Sequence, residues 1–458
     1  MGLNSLKLNA INRLWIVAGF FATFVVHKIA RFVFVQNADT IVVFFCCLCL
    51  FYFVDRYKKN DAVIKNIFTG VVVFLAISFL YNLSYSYLHI PEWDFLCFYL
   101  FAKAGHSSND FYNPEVYTRV FNDLNLQTLT SKDFTAEVVH VGFWYPAPSM
   151  LVFIILAFFD LQTGFIIWQT LIILFLLIDI ILLTWLYLFY TKSTYKQSAA
   201  LIVPLILVFL FPNLTASIFF SQTISLFLLL LLLLIININN WKAGIFVAVL
   251  VIVKPLAAFF FLYFVFFKKW KAVAAAAIAG IVIAAITALT FGTQNFITYF
   301  TSPPTNRIPD FVYLECSSLF GALRRFQQNN ATFISVSNIK IVYYLLSLFF
   351  VGSTFFVLRK LHKVSPVLSF IIFIPLALIV YPATLFHYNI MMIPVVLFLF
   401  TQKIFSNITL NLVAVFLLYL IGVYDLFLFN LALWALIISW PLLLKKTGNK
   451  QRVELSLA

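Results

Sequence analysis

Charged residues are scarce in this chain. Only 10% of its 458 residues are charged, whereas 64% are hydrophobic. A soluble globular protein is excluded, because so few polar groups cannot cover its surface. The alternating segments of about 10 residues that are typical of β-barrels are also missing, since runs such as 225–236 are continuously apolar. We therefore predict an all-α, polytopic transmembrane bundle of about 12–14 helices, built from apolar runs of about 20 residues.

Several motifs that carry common chemistries are missing as well. The chain has no GxGxxG, Walker A, HExxH or nucleophile-elbow motif, and no Asp-x-Asp pair. These absences argue against ATP-driven transport, metalloproteolysis and transfer from nucleotide sugars. We expect neither a metal nor a cofactor.

Cysteine is rare, with five residues in the chain. Cys46, Cys47 and Cys49 lie in an apolar run, which favours core packing over redox or metal chemistry. Cys97 and Cys316 fall in predicted external loops, and the sequence leaves open whether they form a disulfide.

Positive charge is concentrated in short connectors, although the net charge is +14. The clusters are Arg56/Lys58/Lys59/Lys65, Lys192/Lys196, Lys268/Lys269/Lys271, Arg359/Lys360/Lys363 and Lys445/Lys446/Lys450/Arg452. This is the distribution expected of cytoplasmic loops of a membrane protein. The expected partner is therefore the lipid bilayer and not nucleic acid.

The basic clusters predict a topology. The N-terminus shows no cleavable signal, so the first apolar run (14–35) is expected to be retained, with both termini cytoplasmic. Helices near 14–35, 38–54 and 66–84 then place residues 85–142 outside. The run 146–159 is short for a span and is interpreted as a re-entrant or interfacial helix, because a full crossing would invert every later basic connector.

Further spans are predicted near 164–190, 198–211, 221–236, 243–253, 256–267, 271–291, 338–358, 366–381, 388–401, 405–421 and 424–444. The chain is thus expected to form one integral membrane domain (1–458), with external loops at 85–142 and 292–336. The short pieces on either side of Lys254-Pro255 resemble half-helices, which occur where the backbone lines a protected cavity.

The first external loop is unusually acidic. Of the 16 acidic residues in the chain, seven lie in it: Glu92, Asp94, Asp110, Glu115, Asp123, Asp133 and Glu137. Asp94 is flanked by Trp93 and Phe95, and apolar surroundings raise the pKa of a carboxyl group towards the range useful for a general base. The alternative role of Asp94 is to cap a helix N-terminus.

Two more candidates lie at predicted external helix junctions. Lys254 precedes Pro255 between apolar stretches, so a partner for its ammonium is expected: a phosphate, a carbonyl or the interface. His387 follows the turn that begins at Tyr381 and is either catalytic or structural.

Polar side chains elsewhere suit a sugar or a phosphate. Gln222 precedes a leucine run, where its amide could bind sugar hydroxyls or cap the helix. Arg307, Arg324 and Arg325 could hold an anionic lipid phosphate. Asp179 lies within an apolar run and needs a buried partner; an interhelical hydrogen bond is favoured over a proton relay.

The order of these motifs is similar to that of a known family. The matching elements are Asp94-Phe95 with Tyr99 and Ala102, Gly105, Phe111-Tyr112-Asn113-Pro114, Phe143-Trp144-Tyr145-Pro146-Ala147-Pro148, Trp168, Gln222, Lys254-Pro255, Lys268-Lys269-Trp270-Lys271, and Pro382 with His387. Across residues 85–400 the chain resembles glycosyltransferase family 87, the polyprenyl-phosphate-mannose-dependent α-mannosyltransferases of the C-type membrane fold. It departs from the family in two apolar N-terminal segments and in the stretch 315–319.

The resemblance implies an activity and a set of roles. A hexose, in this family mannose, would pass with inversion from a polyprenyl-phosphate donor to a hydroxyl of a glycolipid or glycan, outside a bacterial plasma membrane. The implied roles are catalysis by Asp94 and His387, phosphate binding by Lys254, Arg307 and Arg324, and substrate binding by Tyr99, Tyr112, Tyr145 and Gln222. No metal is implied.

Two other functions fit an apolar bundle with external polar groups. A flippase or transporter of lipid-linked saccharides would need polar residues spread through the bundle and an internal repeat; no repeat is seen. A polymerase or ligase of lipid-linked saccharides would depend on external arginines such as Arg307.

Overall fold

The protein is described by a computed structural model. It covers residues 94–191, 220–301, 316–329, 336–401 and 425–446, apart from 109 and 144, with isolated positions between 66 and 91 and at 208 and 218. The predicted spans 14–35, 38–54, 198–211 and 405–421 lie essentially outside these described residues, as does Arg307, and 66–84 is described only at single positions.

The described residues form helices and contain no strand. The α-helices are α1 Phe95–Ser107, α2 Pro114–Asp123, α3 Lys132–Phe134, α4 Met150–Phe153, α5 Leu161–Thr191, α6 Ile224–Ile236, α7 Lys242–Val253, α8 Ala258–Phe266, α9 Trp270–Phe291, α10 Gln294–Thr301, α11 Leu319–Asn329, α12 Val336–Val364, α13 Pro366–Ile371, α14 Phe373–Val380, α15 Ile393–Thr401 and α16 Leu426–Lys446. Short 3₁₀ segments are Leu126–Thr128, Ala147–Ser149, Ile154–Phe158, Pro255–Ala257 and Phe386–Met392, and Thr135–Val139 is a π-helical turn.

Among the described residues, three helices are long and apolar enough to cross a membrane: Leu161–Tyr190, Trp270–Phe291 and Asn338–Val364. The predicted all-α membrane fold is therefore confirmed. The run near 338–358 extends further than predicted, because α12 continues through His362 and Lys363 in its last turn. Cations are favourable in the last turn of a helix, so the basic residues after position 358 did not indicate where α12 ends.

The residues divide into two compact units. The larger lies within 86–179, 216–392 and 430–458, and the smaller within 1–85, 180–215 and 393–429. Every candidate site residue discussed below belongs to the larger unit. The prediction of one membrane domain stays a prediction.

An aromatic core holds α1 in the larger unit. All of its residues from Phe95 to Ala102 are buried. Phe98 stacks on Phe153, with ring centroids 4.5 Å apart, and a Cβ atom at Gly105 would lie 2.8 Å from the Met150 sulfur. The predicted 146–159 helix is thus a broken helical segment of α4 and two 3₁₀ turns that packs on α1. Its re-entrant path stays a prediction.

Close helix packing fixes α7. A Cβ atom at Gly244 would lie only 1.9 Å from the carbonyl oxygen of Ala272 on α9. Small residues allow helices in membranes to approach in this way. At the other end of α7, Lys254 is extended (φ −148°, ψ 116°), because the ring of Pro255 disfavours helical geometry in the preceding residue. The predicted break between the two half-helices is present.

Candidate active site

Asp94 lies directly before α1 but does not cap it. Its φ of 65° is in the left-handed region, and its side chain makes no capping hydrogen bond to the helix. Its carbonyl oxygen accepts a hydrogen bond from the Phe98 N–H at 2.9 Å. The carboxyl group instead hydrogen-bonds the side chain of Gln222. The main chain of Asp94 thus begins the helix, while its side chain remains available to the site.

Desolvation raises the pKa of Asp94 to about 6. The hydrogen bond from Gln222 and the charge of Lys254 act in the opposite direction and lower this pKa. The residue as a whole keeps some accessible surface, while the protein surrounds its carboxyl group. The sequence predicted a raised pKa from the apolar residues beside Asp94, and burial in apolar surroundings is the cause in the structure.

Gln222 joins Asp94 to Lys254. The Gln222 Oε1 atom accepts a hydrogen bond from Lys254 Nζ at 3.4 Å, which leaves the amide N–H groups to donate to the Asp94 carboxylate. Gln222 itself is buried. It follows Ser221, whose φ of 58° turns the chain immediately before α6. One amide therefore sets the relative positions of the acid and the cation.

Lys254 is buried among aromatic and amide groups. Its ammonium group donates to the Tyr145 hydroxyl at 3.4 Å and lies 4.5 Å from the centre of the Tyr388 ring and 5.5 Å from that of Tyr145. Aromatic faces attract a cation, most strongly when it is desolvated. The sequence predicted a phosphate, a carbonyl or the interface as the partner of this ammonium. In the structure its partners are the carbonyl oxygen of the Gln222 amide, the Tyr145 hydroxyl, two aromatic rings and the charge of Asp94.

His387 and Tyr388 come from the 3₁₀ turn Phe386–Met392. His387 is 2% exposed, and among the described residues neither of its ring nitrogens has a hydrogen-bond partner. It interacts electrostatically with Lys254. Buried polar atoms without partners are costly, so a bound ligand is a physical reason to retain this histidine.

The start of the second predicted loop is docked on the turn before His387. Ser317 donates from both its N–H (2.7 Å) and its Oγ (3.1 Å) to the Thr384 carbonyl oxygen. Ser318 Oγ donates to the Pro382 carbonyl oxygen at 2.7 Å, and Asn389 Nδ2 donates to Ser317 Oγ at 3.0 Å. Cys316 and Cys97 are both buried and are not joined in a disulfide.

The structure brings together five of the predicted site residues: Asp94, Tyr145, Gln222, Lys254 and His387. Sequence reasoning missed Tyr388, which lies against Lys254 and interacts electrostatically with Asp94, Tyr145 and Cys316. The signal that could have found Tyr388 is its position next to His387.

Three other predicted residues direct hydrogen bonds to partners other than Asp94 and Lys254. The Tyr99 hydroxyl donates to the Phe159 carbonyl oxygen at 3.2 Å inside the aromatic core. The Tyr112 hydroxyl donates to the Tyr145 carbonyl oxygen at 2.7 Å, so its contact to the site is through the backbone. Arg324 donates to Gln327 on its own helix at 2.9 Å.

The fold is that of a helical membrane protein, and one site in it contains a desolvated carboxylate and a buried ammonium group. The model of glycosyltransferase family 87 matches residues 143–382, just over half of the chain, and the chain belongs to this family. The protein is therefore a membrane glycosyltransferase. Searches of curated proteins and of solved structures gave no match. The matched segment contains Tyr145, Gln222 and Lys254, whereas Asp94 and His387 lie outside it.

Proposed function

We propose that the protein transfers a hexose, mannose by its family resemblance, from a polyprenyl-phosphate donor to a hydroxyl of a glycolipid or glycan acceptor. The observation that carries the proposal is the set Asp94–Gln222–Lys254, in which one amide contacts a carboxylate and a buried ammonium. This set supplies a proton acceptor beside a cation, the two elements that the transfer needs.

Asp94 acts as the general base. The acceptor hydroxyl loses its proton to the Asp94 carboxylate while its oxygen forms a bond to the anomeric carbon. The bond between that carbon and the phosphate oxygen breaks, and its electron pair leaves with polyprenyl phosphate. A single in-line displacement inverts the anomeric centre, so a β-linked donor gives an α-linked product. With a pKa of about 6, Asp94 is mostly ionised at neutral pH and still basic enough to take the proton.

Lys254 and His387 stabilise the leaving phosphate. The ammonium group of Lys254 already lies among neutral rings and amides, where a charge interacts strongly with an incoming anion. The ring nitrogens of His387, which have no hydrogen-bond partner among the described residues, supply a hydrogen bond to the phosphate or to the sugar. Arg307 and Arg324 remain proposed phosphate ligands, and Tyr99 and Tyr112 proposed substrate contacts, on the family resemblance alone.

The proposed site faces the extracytoplasmic side of a bacterial plasma membrane. The support is the distribution of Lys and Arg in the short connectors, from which the Lys254-Pro255 junction is expected on the side opposite the basic loops. On this side the donor must be lipid-linked, because nucleotide sugars are confined to the cytoplasm.

Product analysis in isolated membranes tests the proposal. Membranes that contain the protein are incubated with labelled polyprenyl-phosphate mannose, and the lipid and glycan fractions are analysed for new α-linked mannose. The proposal expects a labelled glycoside that is absent from membranes without the protein. Movement of label across vesicles with no glycoside would instead indicate a transporter. Loss of the product in an Arg307→Ala variant but not in an Asp94→Ala variant would indicate a polymerase or ligase.

A further inference from the structure

The turn that precedes Gln222 is held in an unusual backbone conformation. Ser221, with φ 58°, is one of four non-glycine residues with positive φ among the described residues. Such a conformation is unfavourable for a non-glycine residue, so the surrounding structure must impose it. The Ser221 N–H donates to the Ile218 carbonyl oxygen at 3.0 Å and closes the turn.

Two neighbouring side chains on α5 clamp this turn. Ser221 Oγ donates to Gln169 Oε1 at 2.7 Å, and Gln169 Nε2 donates to the Ile218 carbonyl oxygen at 3.0 Å. Trp168 Nε1 donates to the Ser221 carbonyl oxygen at 2.9 Å. Gln169 and Ser221 are fully buried. Both ends of the turn are thus fixed to α5 by hydrogen bonds without competition from water.

We propose that Gln169 is a positioning residue, which with Trp168 holds Ile218 and Ser221 so that the amide of Gln222 meets the Asp94 carboxylate. The inference rests on the proposed function of Asp94 as the base. The side chain of Gln169 hydrogen-bonds Ser221 and the Ile218 carbonyl oxygen. It acts on the site through the strained Ser221 and then through Gln222, which is the next residue in the chain.

The proposal predicts an effect on proton affinity beyond any loss of stability. Without the clamp, Ser221 relaxes out of the left-handed region and the Gln222 amide leaves the carboxylate. Because the Gln222 hydrogen bond lowers the pKa of Asp94, its loss raises this pKa further above about 6. The expected rise is about one pH unit, since a hydrogen bond to a charged group contributes about 1.5 kcal/mol or more.

The test is titration of Asp94 in the full-length protein. The protein is labelled with ¹³C-carboxyl aspartate, and the Asp94 signal is assigned by its absence in Asp94→Asn. Titration midpoints are compared for wild type, Gln169→Met, Ser221→Ala and Gln222→Leu. Thr287→Val is the matched control, because Thr287 is buried and its hydroxyl bonds only within α9, to Ile283. The same variants are assayed for transfer as a function of pH.

The proposal expects Gln169→Met and Ser221→Ala to raise the midpoint in the same direction as Gln222→Leu, while Thr287→Val leaves it at the wild-type value. It is overturned if the Gln169→Met and Ser221→Ala midpoints stay at the wild-type value, even if these proteins unfold more easily. It is also overturned if Gln222→Leu has no effect, since the turn would then position nothing. If Gln169→Met fails to fold, Ser221→Ala decides.

The experiment distinguishes a wrong role for Asp94 as the base from a wrong positioning role for Gln169. If Asp94 is not the base, Asp94→Asn keeps its transfer activity, yet the titration midpoints still report whether Gln169 positions Gln222. If Asp94→Asn is inactive but the Gln169→Met midpoint is unchanged, only the positioning role is wrong.

Discussion

Asp94 and Lys254 share the side chain of Gln222, which hydrogen-bonds the carboxylate of the first residue and accepts from the ammonium of the second at 3.4 Å. These residues are 160 positions apart in the chain. The amide separates the two charges, so each remains free to act on a different part of a ligand. A direct ion pair would instead have neutralised both groups before any substrate arrived.

The rate of transfer should depend on pH through Asp94. Only the ionised carboxylate can accept the proton, so kcat/KM should fall as the pH falls through about 6. One pH unit below this pKa about a tenth of the enzyme is active, which predicts a value roughly tenfold below the plateau near pH 5. A profile that is flat from pH 5 to pH 7 would contradict the role of Asp94.

Removal of the Lys254 charge should impair the chemical step. Lys254→Met keeps an unbranched side chain against the rings of Tyr145 and Tyr388 but removes the cation. Loss of such electrostatic stabilisation typically lowers kcat on the order of 100-fold or more. The acid limb of the pH profile should also move to higher pH, because Lys254 lowers the pKa of Asp94. The control is Lys242→Met, at the exposed start of α7, and an equal loss in both variants would count against the proposed role.

His387 should be needed for activity but not for stability. His387→Phe keeps an aromatic ring beside Phe386 and Tyr388 and removes two buried nitrogens that have no hydrogen-bond partner among the described residues. We expect the melting temperature in detergent to be unchanged or higher, while transfer falls. His362→Phe is the contrasting control, since the Nδ1 atom of His362 is bonded to Ser369 Oγ at 2.9 Å and its loss should lower the melting temperature. A destabilised but fully active His387→Phe protein would show that His387 is structural.

Two glycines on packed helices should respond in opposite ways to alanine. At Gly244 the new Cβ atom would meet the Ala272 carbonyl oxygen at 1.9 Å, whereas at Gly280 nothing lies within 4 Å. Gly244→Ala must separate α7 from α9, and overpacking costs about 1–3 kcal/mol. Gly280→Ala should be neutral or stabilising by up to about 1 kcal/mol, because alanine favours helices. Thermal unfolding of the two variants checks the contrast; similar melting temperatures would mean that the close approach at Gly244 is absent.

The helices and part of the site could be predicted from the sequence. Apolar runs gave α5 and α9 within a few residues, and Pro255 marked the break at Lys254, because these signals are local. The predicted topology puts Asp94, Lys254 and His387 on one external face of the membrane, so that these three residues could be expected near one another.

The remaining features of the site depend on contacts between residues far apart in the chain, which no local sequence pattern indicates. The substrate-binding role of Tyr99 comes from the family resemblance and stays a prediction. Tyr99 follows Asp94 by five positions, and with 3.6 residues per turn this spacing turns the two side chains towards different faces. The hydroxyl of Tyr99 bonds the Phe159 carbonyl oxygen. No sequence pattern indicates the role of Gln169, because a glutamine inside an apolar helix does not show which turn of the chain it contacts. The sequence likewise leaves open whether Cys97 and Cys316 pair, and the structure shows that they do not form a disulfide.

The central claim is tested most directly by comparing Asp94→Asn with Asp123→Asn in the transfer assay with polyprenyl-phosphate mannose. The two changes are chemically identical, but Asp123 is exposed at the end of α2. A general base typically contributes about 10²–10⁴-fold to the rate. We therefore predict that Asp94→Asn loses at least about 100-fold in kcat at an unchanged melting temperature, while Asp123→Asn retains wild-type turnover. Wild-type turnover by a folded Asp94→Asn protein would contradict the account.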